Sequence, residues 1–114
     1  MATSLKSIAI ETQLTTSASD IVAAESNEKI FIGNVTFTNT SSSNITVTIW
    51  RLNTATTATT GSGGNWLVIK TIAPNKTWIC YELMGHVLGN SEVIQSSADT
   101  ASVVNVDISG TSEV

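Results

Sequence analysis

Residues 28–52 read EKIFIGNVTFTNT, then SSSN, then ITVTIWRL, which are two β-rich runs joined by a short polar segment. In both runs apolar residues of one parity alternate with polar residues, and the apolar sets are Phe31, Val35, Phe37 and Ile45, Val47, Ile49. Alternation with a period of two marks strands that bury one face. The polar cluster Asn39 to Asn44 supplies the turn residues between them. This stretch therefore predicts a central antiparallel hairpin.

Six further runs have the same character and are separated by turn-forming residues. They span residues 4–13, 21–24, 66–73, 77–84, 92–95 and 102–109. The run 77–84 is expected to be the antiparallel partner of 66–73, since Pro74 and Asn75 break the chain between them. In the last run Val104, Val106 and Ile108 are expected to point inward. No helical period occurs, so the sequence predicts an all-β fold, a single antiparallel β-sandwich or jelly-roll-like domain of about eight strands.

Length and composition indicate one charge-poor domain. The 114 residues allow a single core over 1–114, and 12% charged residues is low beside the usual ~25%. Ser, Thr and Asn take the place of the missing charge, which leaves little repulsion between neighbouring molecules. Residues 53–65, NTATTATTGSGGN, contain no large apolar side chain and are expected to form a long flexible loop.

Several classes of partner are disfavoured. A net charge of −4 with five scattered basic residues argues against nucleic-acid binding. No stretch is long and apolar enough to suggest a membrane partner. The start, MATSLKSIAIE, is too short in apolar residues for a signal peptide, and a single cysteine excludes an internal disulfide. We therefore expect a protein that folds in a reducing cytoplasm.

Residues suited to catalysis do not form a recognisable motif. His86 is the only histidine, between Gly85 and Val87, and is interpreted as a turn residue. Cys80 lies in a WICYE run without a neighbouring cation, so it is expected to be a buried core residue. The carboxylates are dispersed, and no serine lies in a G-x-S-x-G motif. The prediction is a protein that is not an enzyme and needs no cofactor or metal.

The three tryptophans, Trp50, Trp66 and Trp78, are the most distinctive side chains. By parity Trp50 lies opposite the apolar positions of its strand and points outward. It could anchor an interface, stack on a sugar, or be covered by the 53–65 loop of its own chain. Trp78 shares the parity of Cys80 and is expected in the core.

Four segments carry a resemblance that spans almost the whole chain. They are LTTSASDIV at 14–22, VTFTNTSSSNITVTIW at 35–50, IAPNKTWI at 72–79 and VNVDISG at 104–110. With its strands so placed, the chain resembles small β-sandwich virion proteins of tailed bacteriophages. In that class the segment around Val35 to Val47 is the most recognisable, with Asn39 at the end of its strand.

The resemblance implies a structural role in a virus particle. Members of this class decorate or cement capsids, often as trimers, or build neck, tail and fibre parts. The chain is therefore expected to be a capsid decoration (cement) protein, a homotrimer on the major capsid protein, in a virion assembled in the bacterial cytoplasm. An N-terminal arm, residues 1–7, and the 53–65 loop would reach the shell, and the expected interface residues are Leu5, Lys6, Trp50 and Trp66. The alternatives are a neck, tail or baseplate component, and a carbohydrate-binding or receptor-binding module.

Overall fold

A computed structural model describes the backbone of residues 3–7, 13–52, 66–89 and 92–113, and the side chains of residues 13–52, 68–89 and 92–113. Every regular element in these ranges is a β-strand. The strands are β1 (Thr3–Ser7), β2 (Ser19–Ala23), β3 (Lys29–Asn39), β4 (Ile45–Leu52), β5 (Trp66–Ile72), β6 (Thr77–Ile79), β7 (Val87–Gly89), β8 (Val93–Ala98) and β9 (Val104–Glu113).

The strands form two antiparallel sheets packed as a sandwich. One sheet has the order β1-β9-β3-β6, and β7 pairs with the same side of β3 as β6 does, further toward the start of that strand. The other sheet has the order β2-β8-β4-β5. The predicted all-β sandwich is confirmed. Among the described residues there are nine strands, because the run predicted over 77–84 is a strand only over β6 and the chain re-enters the sheet at β7.

The predicted central hairpin is wrong. β3 and β4 belong to different sheets, so residues 40–44 carry the chain from one layer to the other. The pairing predicted between the fifth and sixth runs is wrong for the same kind of reason, since β5 pairs with β4 and β6 pairs with β3. A short polar turn serves a hairpin and a crossover between sheets equally well, and alternation in sequence does not distinguish them.

Asn39 fixes this crossover. Its side chain is fully buried, and its Nδ2 donates hydrogen bonds to the carbonyl oxygens of Ser43 (2.7 Å), Ile72 (3.0 Å) and Ala73 (3.3 Å). Its Oδ1 accepts from the backbone N–H and the hydroxyl of Ser41. Since Asn39 ends β3 and Ile72 ends β5, one side chain ties the two sheets together where the chain changes layer. We name this arrangement of Asn39 and its partners the Asn39 turn.

A β-bulge at Gly33 changes which residues of β3 face the core. The pairing with β9 shifts between Ile32 and Asn34, so Gly33 has no partner there. Ile30 and Ile32 are therefore buried, and Phe31, which the alternation predicts on the buried side, is 48% exposed. Opposite the bulge, Gly110 leaves no room for a side chain, because a Cβ would lie against the carbonyl oxygen of Phe31.

The core lies between the sheets and is almost entirely aliphatic. On β9, Val104, Val106 and Ile108 are buried as predicted, while Asn105 and Asp107 are exposed. Phe37 is the largest fully buried side chain among the described residues, and its ring stacks on Trp78 with 5.3 Å between centroids. One face of each sheet is thus committed to the core, which leaves the outer faces and the open edges as the surfaces where function must be sought.

Candidate functional site

The most distinctive surface is a groove on one open side of the sandwich, between edge strand β5 of one sheet and β6 of the other. Its volume is about 550 Å³, and it is lined by residues 70–73 and 76–79 together with Tyr81 and Glu82. We name it the edge groove. Strand β5 pairs only with β4, so its other side is free of backbone pairing among the described residues. A concave surface between two sheet edges is a site where another molecule can insert.

Large apolar side chains gather around this groove. Ile79 is 42% exposed and Tyr81 is 71% exposed, and both line it. Ile69, 60% exposed, also lies on β5, but it pairs with Thr48 at a position that alternates to the outer face of that sheet, and it does not line the groove. The remaining described large apolar residues with comparable exposure, Phe31 and Val87, are register neighbours on β3 and β7. The exposed apolar side chains that line the groove itself are therefore Ile79 and Tyr81, next to exposed charges, as at an interaction surface.

The charged side chains of the edge groove are uncommitted. Lys70, Lys76 and Glu82 line it, and each is exposed. Within the described side chains, the ion pairs include none of these three residues. The groove therefore presents two cations, one anion and an apolar floor, all free to meet a partner.

Lys70 brings a charge to the inner side of the groove. It lies on β5 between Val68 and Ile72, at the positions that alternate toward the core, and is paired in register with the buried Val47. It is nevertheless exposed, since a lysine at a sheet edge can keep its amine in water. An inward-facing charge on an edge strand also opposes the addition of a further strand. A partner at this groove therefore makes contact through side chains.

Some charged groups outside the groove are used in structural bonds. Arg51 at the end of β4 pairs with Glu92 (3.2 Å), donates to the carbonyl oxygen of Val87 (3.1 Å) and lies 3.4 Å from Nδ1 of His86. Glu92 also accepts from the backbone N–H of Gly89 (2.9 Å). These contacts join β4 to the segment around β7, which belongs to the other sheet. His86, predicted as a turn residue, is one of the groups that make this connection.

Glu28, the buried carboxylate among the described residues, has a similar structural use. Glu28 accepts a hydrogen bond from the hydroxyl of Ser112 and another from the backbone N–H of Glu25 (2.9 Å). It therefore closes the turn before β3 and ties that turn to β9. In the described part of the chain, no three His, Cys, Asp or Glu side chains are grouped in a way that could hold a metal ion.

Cys80 is buried, as predicted. It directly follows β6, has no exposed surface, and burial raises the pKa of its thiol to about 11. A thiol with a raised pKa and no access to solvent is a poor nucleophile. Its neighbours Ile79 and Tyr81 are exposed, so the segment 79–81 turns one side chain to the core and two to the edge groove.

Of the four predicted interface residues, the structure describes the side chain of Trp50 and only the backbone of the other three. Trp50 does lie on the outer face of its sheet, yet it is only 6% exposed and packs with Leu52 and Val93. It is covered by its own chain, and any role of residues 53–65 in covering it lies outside the described residues. Leu5 and Lys6 belong to β1, in register with Thr111 and Gly110, and Trp66 begins β5. The side chains of Leu5, Lys6 and Trp66 also lie outside the described residues.

The sequence did not point to Ile69, Ile79 or Tyr81. Ile69 and Ile79 each lie in an ordinary apolar run, where the sequence does not show which residues face water. Trp78, predicted in the core, is half-buried against Phe37 and reaches the groove. The groove forms because β5 and β6 lie at the edges of different sheets, and the sequence alone did not show this arrangement.

Comparisons with known proteins give little further information. No known protein family and no curated protein matches this sequence. Among solved structures, the chain is similar to a pentameric capsid protein isolated from metagenomic phage sequences, with a TM-score of 0.27 and 14% identity. The match covers 97% of this chain and 60% of that protein. A TM-score this low does not establish a shared fold. None of the described segments forms a helix that could cross a membrane.

Proposed function

We propose that this chain is a non-catalytic structural protein of a bacteriophage particle that associates with copies of itself. The observation that carries the self-association is the edge groove, where exposed apolar side chains and unpaired charges lie together on one side of the domain. The resemblance of the sequence to small phage virion proteins supports the particle as its location. The described buried polar residues Asn39, Glu28 and Ser112 are occupied in holding the fold together, which supports a role without catalysis.

Within the particle, the proposed role is capsid decoration. A protein that binds across joints between capsid subunits stabilises the assembled shell, because it binds that state and not the free subunits. The proposed partners are the major capsid protein and two further copies of this chain in a trimer. The N-terminal residues 1–7 and the 53–65 loop are proposed to reach the shell. A neck, tail or baseplate component is the alternative within the same class.

Mass spectrometry of purified particles tests the location. Particles from the strain that encodes the chain would be separated on a density gradient, and heads and tails analysed apart. Decoration predicts the chain in many copies on heads and none on tails. Its presence only on tails or necks would move the proposal to the alternative, and its absence from particles would reject a virion protein. Because Thr3–Ser7 form edge strand β1, deletion of residues 1–7 also removes a strand from the sheet, so thermal unfolding of the deletion variant is measured first. A folded variant with lowered occupancy on heads supports a contact of this segment with the shell, and unchanged occupancy rejects it.

A carbohydrate-binding or receptor-binding module is the second candidate. The observation in its favour is Tyr81, which is 71% exposed beside Trp78 in the groove, since an exposed aromatic ring flanked by polar groups can stack on a sugar. The burial of Trp50 removes the platform expected on that side chain. A glycan array probed with the wild-type protein and with Tyr81→Ala tests this candidate. Binding that Tyr81→Ala abolishes supports it, and the absence of any binding rejects it.

A further inference from the structure

We propose that the edge groove is a two-fold contact, in which the groove of one chain meets the same groove of a second copy. This inference rests on the proposed self-association but not on the proposed trimer or on the virion. It assigns the contact to particular residues and gives it a symmetry. In a two-fold contact each surface patch meets its own copy, so the patch must complement itself.

The apolar side chains favour a copy of the same groove as the partner. Ile79 and Tyr81 would be removed from water only by another apolar surface. The outer face of β9 does not offer one, since its outward positions are all polar, namely Asn105, Asp107, Ser109, Thr111 and Glu113. Within the described surface, the groove of a second copy brings the same two exposed apolar side chains, Ile79 and Tyr81, against those of the first.

The Phe31–Val87 pair is a poorer partner. These two side chains are neighbours in register on β3 and β7, and each is half-covered. The positions around them hold Lys29, Thr111 and Glu113, which are polar. The pair also lies about 16 Å along β3 from the position where Ile79 pairs, given ~3.3 Å per residue.

The charges of the groove complement each other across a two-fold axis. Each groove carries Lys70 and Lys76 together with Glu82, and none of the three takes part in an ion pair with a described side chain. Rotation by half a turn can place the lysines of one copy against the Glu82 of the other. Such pairing sets orientation and excludes wrong partners more than it adds affinity. Because the inward-facing Lys70 disfavours strand addition, the contact is made by side chains over the groove.

The inference can be tested by inverting the charges of the groove in two ways. Glu82→Lys gives a groove with only cations, and the double variant Lys70→Glu with Lys76→Glu gives one with only anions. Each variant alone should repel its own copy, and an equimolar mixture should restore the contact. Lys76 and Glu82 are exposed, so their substitution should change stability little. Lys70 faces inward, so thermal unfolding of the double variant is measured first, and Lys76→Glu alone replaces it as the mixing partner if it does not fold. Self-association would be measured by sedimentation equilibrium over a range of concentrations, with Lys29→Glu as the matched control outside the groove.

We expect the wild type and the control to form even-numbered assemblies, which are dimers or, if the proposed trimer also forms, hexamers in which two trimers meet through this contact. Each charge variant should dissociate at least tenfold more readily, and the mixture should recover the wild-type behaviour. A wild type that is monomeric at every concentration would reject the self-association itself. A wild type that associates as strongly as both charge variants would reject the groove as the contact and leave self-association standing. A mixture that fails to recover, or an odd-numbered assembly, would reject the two-fold symmetry.

Discussion

The Asn39 turn and the edge groove lie side by side, yet their polar groups are used in opposite ways. In the Asn39 turn, the side-chain amide makes five hydrogen bonds, two of which reach β5 and the residue that follows it. In the edge groove, which starts at the same end of β5, Lys70, Lys76 and Glu82 have no ion-pair partner among the described residues, and Ile79 and Tyr81 face water. A group that the fold has already used is not free to bind, so of these two regions the groove is the one available to a partner.

The largest expected effect is at Asn39. Asn39→Asp would place a carboxylate oxygen, without a proton to donate, close to three carbonyl oxygens in a fully buried site. The free energy of unfolding should fall by about 3 kcal/mol or more, because a buried charge is then unpaired. Asn44→Asp makes the same chemical change at an exposed position of the same segment and serves as the control. Urea denaturation measures the loss of unfolding free energy in both variants, and equal losses would contradict the role assigned to Asn39.

A second large effect is expected where β3 meets β9. Gly110→Ala should lower the free energy of unfolding by about 2 kcal/mol, since its Cβ would collide with backbone at Phe31 and force the strands apart. Gly33→Ala, on the opposite strand at the bulge, meets its nearest atom at 3.4 Å and should cost much less. Thermal unfolding of the two variants measures the difference. A similar loss for both would show that the β3–β9 approach is less tight than described.

Cys80 should respond to pH because it faces the core from within the groove segment. Its thiol has a raised pKa, so burial favours the protonated form. The stability it contributes is present below its ordinary pKa and is lost as the pH rises from 9.0 to about 11. The wild type should therefore lose more stability over this window than Cys80→Ala. Parallel denaturation curves at several pH values test this, and equal losses would mean that the thiolate is tolerated.

The smallest effect on stability is expected at Tyr81. Tyr81→Ser removes a ring that is 71% exposed, so the free energy of unfolding should change by only about 0.5 kcal/mol or less. Self-association should nevertheless weaken strongly, because the ring belongs to the proposed contact. Urea denaturation and light scattering on the same sample separate the two effects. A large loss of stability would place Tyr81 with Asn39 among the residues that the fold requires.

The sequence predicted the positions of the strands better than it predicted which strands pair with each other. Alternation predicted which residues of β4 and β9 are buried, because period-two burial is a local property of a strand. It failed at Phe31, since one unpaired residue at Gly33 inverts the faces of β3. It also failed at the hairpin, because the bonds that decide the crossover join Asn39 to Ile72 and Ala73, more than 30 residues away.

The candidate site was less accessible to sequence reasoning than the fold. The sequence correctly predicted that Trp50 lies on the outer face of its sheet. It did not predict that Trp50 is buried there, because this burial depends on packing with Val93, which is distant in sequence. The groove segment 77–81 was predicted as part of a longer strand over 77–84. In the structure the strand ends at Ile79, where turn hydrogen bonds begin with Leu83 donating to Cys80 (3.2 Å). Tyr81, two residues after the outward-facing Ile79, has the outward side that period-two alternation gives it.

The most direct test of the central claim is hydroxyl-radical footprinting of the wild-type protein at low and high concentration, with oxidation measured residue by residue. If the edge groove is the contact between copies, the oxidation of Tyr81 and Ile79 should fall as the assembly forms. The oxidation of Phe31, which is 48% exposed outside the groove, should stay constant. Equal oxidation of Tyr81 at both concentrations in an assembled sample, or protection of Phe31 instead, would contradict the account.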